Sequence, residues 1–167
     1  MEHREHKIHD VSFSLIITSD SVVKGLKKDE ITPLVSSIIK KSKFRLVESL
    51  IVGNNKEHIR KAIKALLPKS DVVIVTGGTG LSSKDLSVSV LNEMGFKEIR
   101  GFGELFRSLS FSEIGPFAWL SNASAFVVDE EKRKLVFALP GNPNAVKLAL
   151  EKLILPVIAH ALWELRR

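Results

Sequence analysis

With 167 residues, the chain is long enough for one domain with a substantial core, and its 44% hydrophobic and 26% charged residues are ordinary for a globular protein. It has no cysteine, which excludes disulfides, thiolate metal sites and cysteine nucleophiles, and no apolar run is long enough for a membrane helix. The net charge of +6 lies in residues 1–70, where 14 Lys and Arg accompany 8 Asp and Glu, while residues 71–167 hold 11 of each. These basic residues are scattered without interleaved aromatics, so we expect no nucleic-acid binding, but a solvated basic face or one that steers a small anion.

The first nine residues are polar and carry His3, His6 and His9 at intervals of three. On a helix this spacing would gather the imidazoles into a metal-binding face. We favour the alternative, in which residues 1–9 form a flexible tail and residues 10–167 a single domain. The tail also lacks the apolar stretch of a secretion signal, so we expect a cytoplasmic protein without membrane contact.

Apolar periodicity predicts three strands that each lead into a helix. The predicted strands cover residues 12–18, 44–52 and 72–75. The helices that follow them are expected to begin near Thr32, Lys56 and Leu86. Between the first strand and its helix, the short polar side chains of Ser19, Asp20 and Ser21 favour a turn and can bond backbone or ligand.

The third strand and the loop after it are the stretch around which we expect the chain to be organised. Four consecutive β-branched residues, 72–75, are too apolar for a strand with one face in water, which predicts a central strand covered on both sides. The residues that follow combine two threonines with three glycines, namely Thr76, Gly77, Gly78, Thr79 and Gly80. Glycines can adopt positive φ and let a ligand approach the backbone, so this loop is a candidate pocket floor. A tight turn that binds nothing is the alternative.

Ser82, Ser83 and Asp85 come directly after the glycine loop and offer N-caps for the third helix. The N-terminus of a helix attracts anions, and Asp85 would lie at the rim of such a site. The loop has no Gly-Lys-Ser/Thr ending and does not follow the first strand, so neither a Walker A loop nor a dinucleotide fingerprint is indicated.

The second half of the chain predicts shorter elements and two further loops. An edge strand at 97–99, a short helix at 112–120, a hairpin of strands 125–128 and 135–139, and a last helix from Ala145 interrupted near Pro156 are expected. The segment 101–107 is bracketed by glycines and holds Glu104 and Arg107, which makes it a second candidate site. Here Glu104 can instead cap its own glycine loop, and Arg107 is expected to form a structural ion pair.

Alternating strands and helices followed by a hairpin predict a three-layer α/β/α fold, with a doubly wound, mostly parallel sheet and an appended antiparallel β-hairpin. Ligands of such folds bind at the carboxyl ends of the strands. The loops expected to gather there are 18–32, 53–56, 76–85 and 140–144.

Four motifs occur in an order that resembles the MoaB/Mog family of molybdenum cofactor biosynthesis. They are TGGTG at 76–80 with Asp85, GFGELFR at 101–107, IGP at 114–116 with AWLS at 118–121, and LPGNP at 139–143. The resemblance covers roughly residues 10–163. Each motif alone is weak, but four in register are specific.

The resemblance implies a molybdopterin adenylyltransferase, in which the pterin's phosphate attacks the α-phosphate of Mg-ATP and releases pyrophosphate. Mg²⁺, ATP and molybdopterin are therefore the expected cofactor and substrates. The family also implies a homo-oligomer, a trimer or a hexamer, and a molybdenum-insertion protein as a possible partner. Phosphoryl-type transfer depends on positioning and charge neutralisation, which a glycine loop and carboxylates can provide.

Carried over by position, the family's roles fall on the loops already singled out. Asp85 is implied as the catalytic and metal-binding acid, with Asn54 at the second catalytic position. The implied substrate-binding residues are Ser19, Asp20, Ser21, Thr76, Gly77, Gly78, Thr79, Gly80, Ser82, Glu104, Pro140, Gly141, Asn142 and Pro143. For the last four residues, a rigid connector is the alternative reading.

The chain departs from the family pattern near this site. Where the family often has Pro-Asp after the second strand, this chain has Gly53-Asn54, and Ile31-Thr32 stands where Ser-Gly is common. The amide oxygen of Asn54 can coordinate Mg²⁺ but brings no charge, so metal affinity should fall. A catalytically weakened or inactive protein that binds molybdopterin or nucleotide is therefore the alternative function.

Overall fold

A computed structural model of the protein describes residues 7–167 and places its six strands in one sheet. The strands are β1 (Ser12–Thr18), β2 (Arg45–Val52), β3 (Val72–Thr76), β4 (Lys97–Glu98), β5 (Ser124–Val128) and β6 (Lys134–Leu139). Their order across the sheet is β2-β1-β3-β6-β5-β4. Strands β2, β1, β3 and β6 are parallel, and β5 pairs antiparallel with both β6 and β4. The mostly parallel sheet predicted from the sequence is confirmed.

The predicted hairpin consists of β5 and β6, and its second strand lies inside the sheet. Strand β6 pairs with β3 in register from Val72 opposite Leu135 to Thr76 opposite Leu139. Because the two strands run in the same direction, the loop after Leu139 emerges beside the glycine loop after Thr76. This pairing brings together two motifs that lie more than sixty residues apart in the chain.

Helices cover both faces of the sheet, as a three-layer fold requires. They are α1 (Asp20–Val23), α2 (Ile31–Lys41), α3 (Lys56–Leu66), α4 (Ser87–Glu93), α5 (Arg100–Ile114), α6 (Pro143–Ala149) and α7 (Ile158–Arg166). One apolar core joins the sheet to α3 and α4, and the other joins it to α2, α5, α6 and α7. Side chains of β3 enter the two cores alternately, Ile74 on one face and Val75 on the other. The run of β-branched residues is therefore a central strand, as predicted.

The segment 101–107 was predicted as a loop and is instead part of α5. Phe102 and Phe106 lie on the buried side of this helix and pack against the sheet, and this burial outweighs the cost of about 1 kcal/mol that each glycine imposes in a helix. Gly103 faces the strand side, where a Cβ atom would lie 2.8 Å from the carbonyl oxygen of Ala123. The helix predicted at 112–120 was also wrong in kind, because α5 ends at Ile114 and Gly115–Leu120 form a 3-10 helix.

Two smaller predictions about helix ends also need correction. Helix α4 begins at Ser87 and has no side-chain cap. The predicted caps Ser82, Ser83 and Asp85 are therefore wrong. The predicted turn at 19–21 is the start of α1, which Ser19 caps by accepting from the N–H of Val22. The last helix is interrupted as expected, because a π-helical segment, Leu150–Ile154, separates α6 from α7.

The predicted N-terminal tail lies only partly within the described residues. His3 and His6, with most of the predicted tail 1–9, lie outside the described residues. From Ile8 onwards the chain is attached to the fold, because its N–H donates to the carbonyl oxygen of Ala159 in α7 at 3.0 Å. Within residues 7–167, no helix is long and apolar enough to cross a membrane.

Candidate functional site

A cleft lies at the carboxyl ends of the central strands, where the sequence predicted a site. Its volume is about 80 Å³. The residues that line it come from the ends of β1 and β3 and from the loops after β1 and β6; they are Ile17, Thr18, Ser19, Val22, Lys27, Lys28, Asp29, Glu30, Ile31, Thr76, Gly141 and Pro143. Parallel pairing of β1, β3 and β6 brings these loops to one edge.

The glycine loop turns sharply away from β3 and packs against its neighbours. Gly77 and Gly78 have φ values of +90° and +71°, a region that other residues rarely adopt. A Cβ atom on Gly77 would lie 2.5 Å from the carbonyl oxygen of Thr18. Ser87, at the start of α4, donates its hydroxyl to the carbonyl oxygen of Gly77 at 2.8 Å. Glycine is therefore required here for packing as well as for any ligand.

Asp85 is held against the end of the glycine loop. Its Oδ2 accepts from the N–H of Ser82 at 3.0 Å, and a Cβ atom on Gly80 would lie 2.7 Å from the same oxygen. The residue is half-buried, and no hydrogen bond or ion pair to Oδ1 is recorded among residues 7–167. One carboxylate oxygen is thus fixed by the loop, while the other is available to a ligand.

The loops after β1 and β2 are joined through Asp20. Its Oδ1 accepts from the N–H of Asn54 at 2.9 Å, and a Cβ atom on Gly53 would lie 2.9 Å from that oxygen. The N–H of Ser19 donates to the carbonyl oxygen of Val52 at 2.9 Å. Asp20 therefore positions Asn54, which is a structural role that the sequence alone did not reveal.

The loop after β6 lies against the glycine loop. A Cβ atom on Gly141 would lie 3.2 Å from Cα of Gly77, so the two backbones are in contact. Asn142 caps α6 by accepting from the N–H of Ala145 at 2.9 Å, and Pro143 occupies the first turn. Pro140 precedes this turn and is half-buried. The start of α6 is thus capped, and Gly141 and Pro143 of this loop form one wall of the cleft.

The second candidate site reaches the glycine loop only indirectly. Of the predicted site residues, only Ser19, Thr76, Gly141 and Pro143 line the cleft. Glu104, which is exposed on α5, does not line it, and neither do Asp85 and Asn54. Among residues 7–167 Arg107 does not form the expected ion pair; its guanidinium donates instead to the carbonyl oxygens of Ser121 and Ala123 at 3.3 and 3.0 Å. Asn122, between these two residues, donates its N–H to the carbonyl oxygen of Thr79 at 2.8 Å. Arg107 thus braces the segment that supports the glycine loop.

Several residues of the cleft were not among the predicted site residues. Asp29 accepts from the N–H groups of Ile31 and Thr32 at 2.9 and 3.0 Å and so holds the start of α2. An aspartate a few residues before Pro33 is a usual helix-start signal, which could have identified it. Lys27 and Lys28 carried no such signal, because their approach to the cleft depends on how the loop folds back.

The oxygen donors of this edge are of the type that Mg²⁺ prefers. They are the free Oδ1 of Asp85, the amide of Asn54 and the second oxygen of Asp20. Within residues 7–167 no three acidic or histidine side chains are close enough to hold a metal together. A magnesium ion at this edge would therefore take few ligands from side chains and keep waters and substrate phosphates as the others.

Comparison with known proteins assigns this chain to a class. A family model described as "Probable molybdopterin binding domain" matches residues 14–160. The chain is therefore a member of the class of proteins with this domain. Molybdenum cofactor biosynthesis protein B of Bacillus cereus is 36% identical over 169 residues, which cover 99% of this chain and 97% of that protein. The protein of the same name from Bacillus subtilis is 32% identical over 99% of this chain and 96% of its own length.

A solved structure agrees with these relatives. The tungsten cofactor synthesizing protein MoaB from Pyrococcus furiosus superposes with a TM-score of 0.89 at 32% identity, covering 96% of this chain and 99% of that one. The chain belongs to the MoaB/Mog family of molybdenum cofactor biosynthesis proteins. The resemblance drawn from its four motifs is confirmed.

Proposed function

We propose that the protein adenylylates molybdopterin with Mg-ATP. In this reaction a phosphate oxygen of molybdopterin attacks the α-phosphorus of ATP, the bond from that phosphorus to the bridging oxygen breaks, and pyrophosphate leaves. The observation that carries the proposal is the half-buried Asp85, which Ser82 fixes over Gly80 with one oxygen free. A fixed carboxylate beside a glycine loop suits a reaction that depends on positioning.

The proposal gives each wall of the site a role. Backbone and hydroxyl groups of the glycine loop and of Ser82 bind phosphate or pterin, Ser19, Asp20 and Ser21 lie on the nucleotide side, and residues 140–143 line the pterin side. Asp85 and the amide oxygen of Asn54 would hold Mg²⁺, which would neutralise charge on the phosphates. Glu104, which is exposed on α5, is kept as a substrate contact only through the family resemblance.

The alternative function is that of a molybdopterin- or nucleotide-binding protein with weak or no catalysis. The observation that favours it is the neutral Asn54 at the position where a second carboxylate is expected. Its backbone is held by Asp20 at 2.9 Å, so an aspartate there would add a second negative charge beside the first. In this alternative the chain binds magnesium less strongly than a relative with aspartate at this position, and its turnover is slow for that reason.

One experiment separates the two functions. Purified protein is mixed with Mg-ATP and molybdopterin, and pyrophosphate release is measured for the natural chain, Asp85→Asn and Asn54→Asp. Magnesium-dependent release that Asp85→Asn abolishes supports the transferase. If calorimetry detects ATP binding while no variant releases pyrophosphate, the transferase is refuted and the binding function stands.

We also propose that the protein forms a homo-oligomer. Five large apolar residues near the end of α5 are exposed by 36–70%; they are Phe111, Ile114, Phe117, Trp119 and Leu120. Such a concentration of exposed apolar surface is typical of protein interfaces. Light scattering of Phe117→Ser/Trp119→Ser should show smaller particles, whereas Leu26→Ser, which changes a residue 79% exposed on another loop, should not. A molybdenum-insertion protein that receives the adenylylated product is the expected functional partner.

A further inference from the structure

Hydrogen bonds fix the backbone of the loop between α1 and α2 at both ends. The carbonyl oxygen of Ser21 accepts from the N–H groups of Leu26 and Lys27 at 2.8 and 3.2 Å. At the other end, Asp29 accepts from the first N–H groups of α2. Lys27 and Lys28 lie between these anchors and line the cleft.

The ammonium groups of these two lysines have no partner in the described chain. Within residues 7–167, neither Lys27 nor Lys28 makes a side-chain hydrogen bond or an ion pair. The acids beside them differ in their state. Asp29 keeps its negative charge and is hydrogen-bonded to the first N–H groups of α2, while Glu30 is exposed. Two lysines and two acids give this wall no net charge, but the lysine ammonium groups are unengaged in the described chain, whereas the Asp29 carboxylate is already bound by the backbone.

The size of the cleft limits what it can hold. Its volume of about 80 Å³ is far below the roughly 300–1,000 Å³ of pockets that enclose a whole drug-sized ligand. A small, strongly charged group such as a phosphate fits, whereas a complete nucleotide or pterin would extend beyond the cleft.

We infer that Lys27 and Lys28 bind the terminal phosphates of a nucleoside triphosphate and so hold the pyrophosphate leaving group. Thr76 is both a wall of this cleft and the first residue of the glycine loop, which joins the two parts of the site. In this arrangement the two lysines hold the β- and γ-phosphates, while a metal would lie at the end of the loop near Asp85. The identity of the anion as a leaving group rests on the proposed function; the anion site itself does not.

Calorimetric titration tests this inference with three probes, inorganic pyrophosphate, ATP and AMP, each with Mg²⁺. The double variant Lys27→Gln/Lys28→Gln should bind pyrophosphate and ATP at least about tenfold more weakly, because charged hydrogen bonds to phosphate are lost. Its affinity for AMP, which lacks the terminal phosphates, should stay within about twofold of the natural protein. The salt dependence of pyrophosphate binding should also decrease.

Lys24→Gln is the matched control, because Lys24 is exposed on the same loop but does not line the cleft. It should leave all three affinities unchanged, and Lys27→Arg/Lys28→Arg should retain pyrophosphate binding. The inference is overturned if the natural chain does not bind pyrophosphate, if the double Gln variant binds it equally well, or if Lys24→Gln loses as much.

The result that would refute the proposed function differs from the results that would refute the anion site. If pyrophosphate binds in a lysine-dependent manner but ATP and molybdopterin release none, the reaction is refuted and the anion site stands. If turnover occurs and the lysine substitutions alter neither pyrophosphate affinity nor the KM for ATP, the reaction stands and the anion site is refuted.

Discussion

A partly buried ionic network lies at the end of the sheet opposite the cleft. We expect this network to hold the C-terminal helix α7 on the sheet and so to stabilise the fold. Asp71 directly precedes β3, and its carboxylate accepts from the N–H and hydroxyl of Ser12, both at 3.0 Å. Arg166 of α7 donates to its other oxygen at 2.8 Å, and Lys132 lies 3.5 Å from that oxygen. The side chains of Asp71 and Arg166 are only 10% and 15% exposed, so water screens their interaction weakly.

Replacing Arg166 with methionine keeps the apolar stem but removes the charged hydrogen bond to Asp71, together with the bond that its Nε donates to the carbonyl oxygen of Arg133 at 2.9 Å. A charged hydrogen bond of this kind contributes about 1.5–3 kcal/mol to stability. Leaving a buried charge without any partner would cost roughly 3–5 kcal/mol, but the Asp71 carboxylate keeps its contacts with Ser12 and Lys132 in this variant. We therefore expect a loss of about 2 kcal/mol in the free energy of unfolding, or about 4–8 °C in Tm for a chain of this size. Arg167→Met is the control, because that side chain is 63% exposed, and it should cost less than about 0.5 kcal/mol.

The stability lost on replacing Arg166 should be smaller at low pH. Burial raises the pKa of Asp71, but hydrogen bonds from Ser12 and Arg166 outweigh it and hold this pKa below its usual value. A depressed carboxyl pKa adds stability above the unfolded-state pKa of about 3.9, and this contribution is lost as the pH falls below it. Urea unfolding at pH 7 and pH 3 should therefore show a smaller difference between the natural chain and Arg166→Met at pH 3. Equal losses in Arg166→Met and Arg167→Met, or an unchanged loss at pH 3, would refute this reasoning.

Three further changes test other parts of the structure. Gly77→Ala should cost more than about 3 kcal/mol, because positive φ and a close approach to Thr18 act together, whereas Gly95→Ala, with φ +77° and open space, should cost only about 1–2 kcal/mol in urea unfolding. Ser14→Ala should be neutral or stabilise by about 1 kcal/mol in the same assay, because its buried hydroxyl lacks a partner in the described residues; a clear loss would show that the hydroxyl is bonded. Asn54→Asp should tighten Mg²⁺ binding in calorimetry about tenfold by adding a carboxylate, and weaker binding would exclude this position from the metal site.

Local patterns in the sequence determined the elements of the sheet. The burial of β3 on both faces followed from four consecutive β-branched residues, and the three strand-helix pairs followed from apolar periodicity. The glycine loop and Asp85 could be singled out for the same reason, since positive φ and N-terminal anion binding are properties of short segments. These inferences needed no knowledge of which strands are neighbours.

Tertiary structure alone decided how these segments meet. Pairing of β6 with β3 places Gly141 against Gly77, and no local pattern encodes that register. Packing of Phe102 and Phe106 on the sheet made a helix of a glycine-containing segment that reads as a loop, since burial outweighs local propensity. Folding of the α1–α2 loop brings Lys27 and Lys28 to the cleft, and the network of Asp71 joins residues from both ends of the chain. Contacts between distant residues depend on the whole packed arrangement, which is why the sequence indicates the parts of this site and only the fold assembles them.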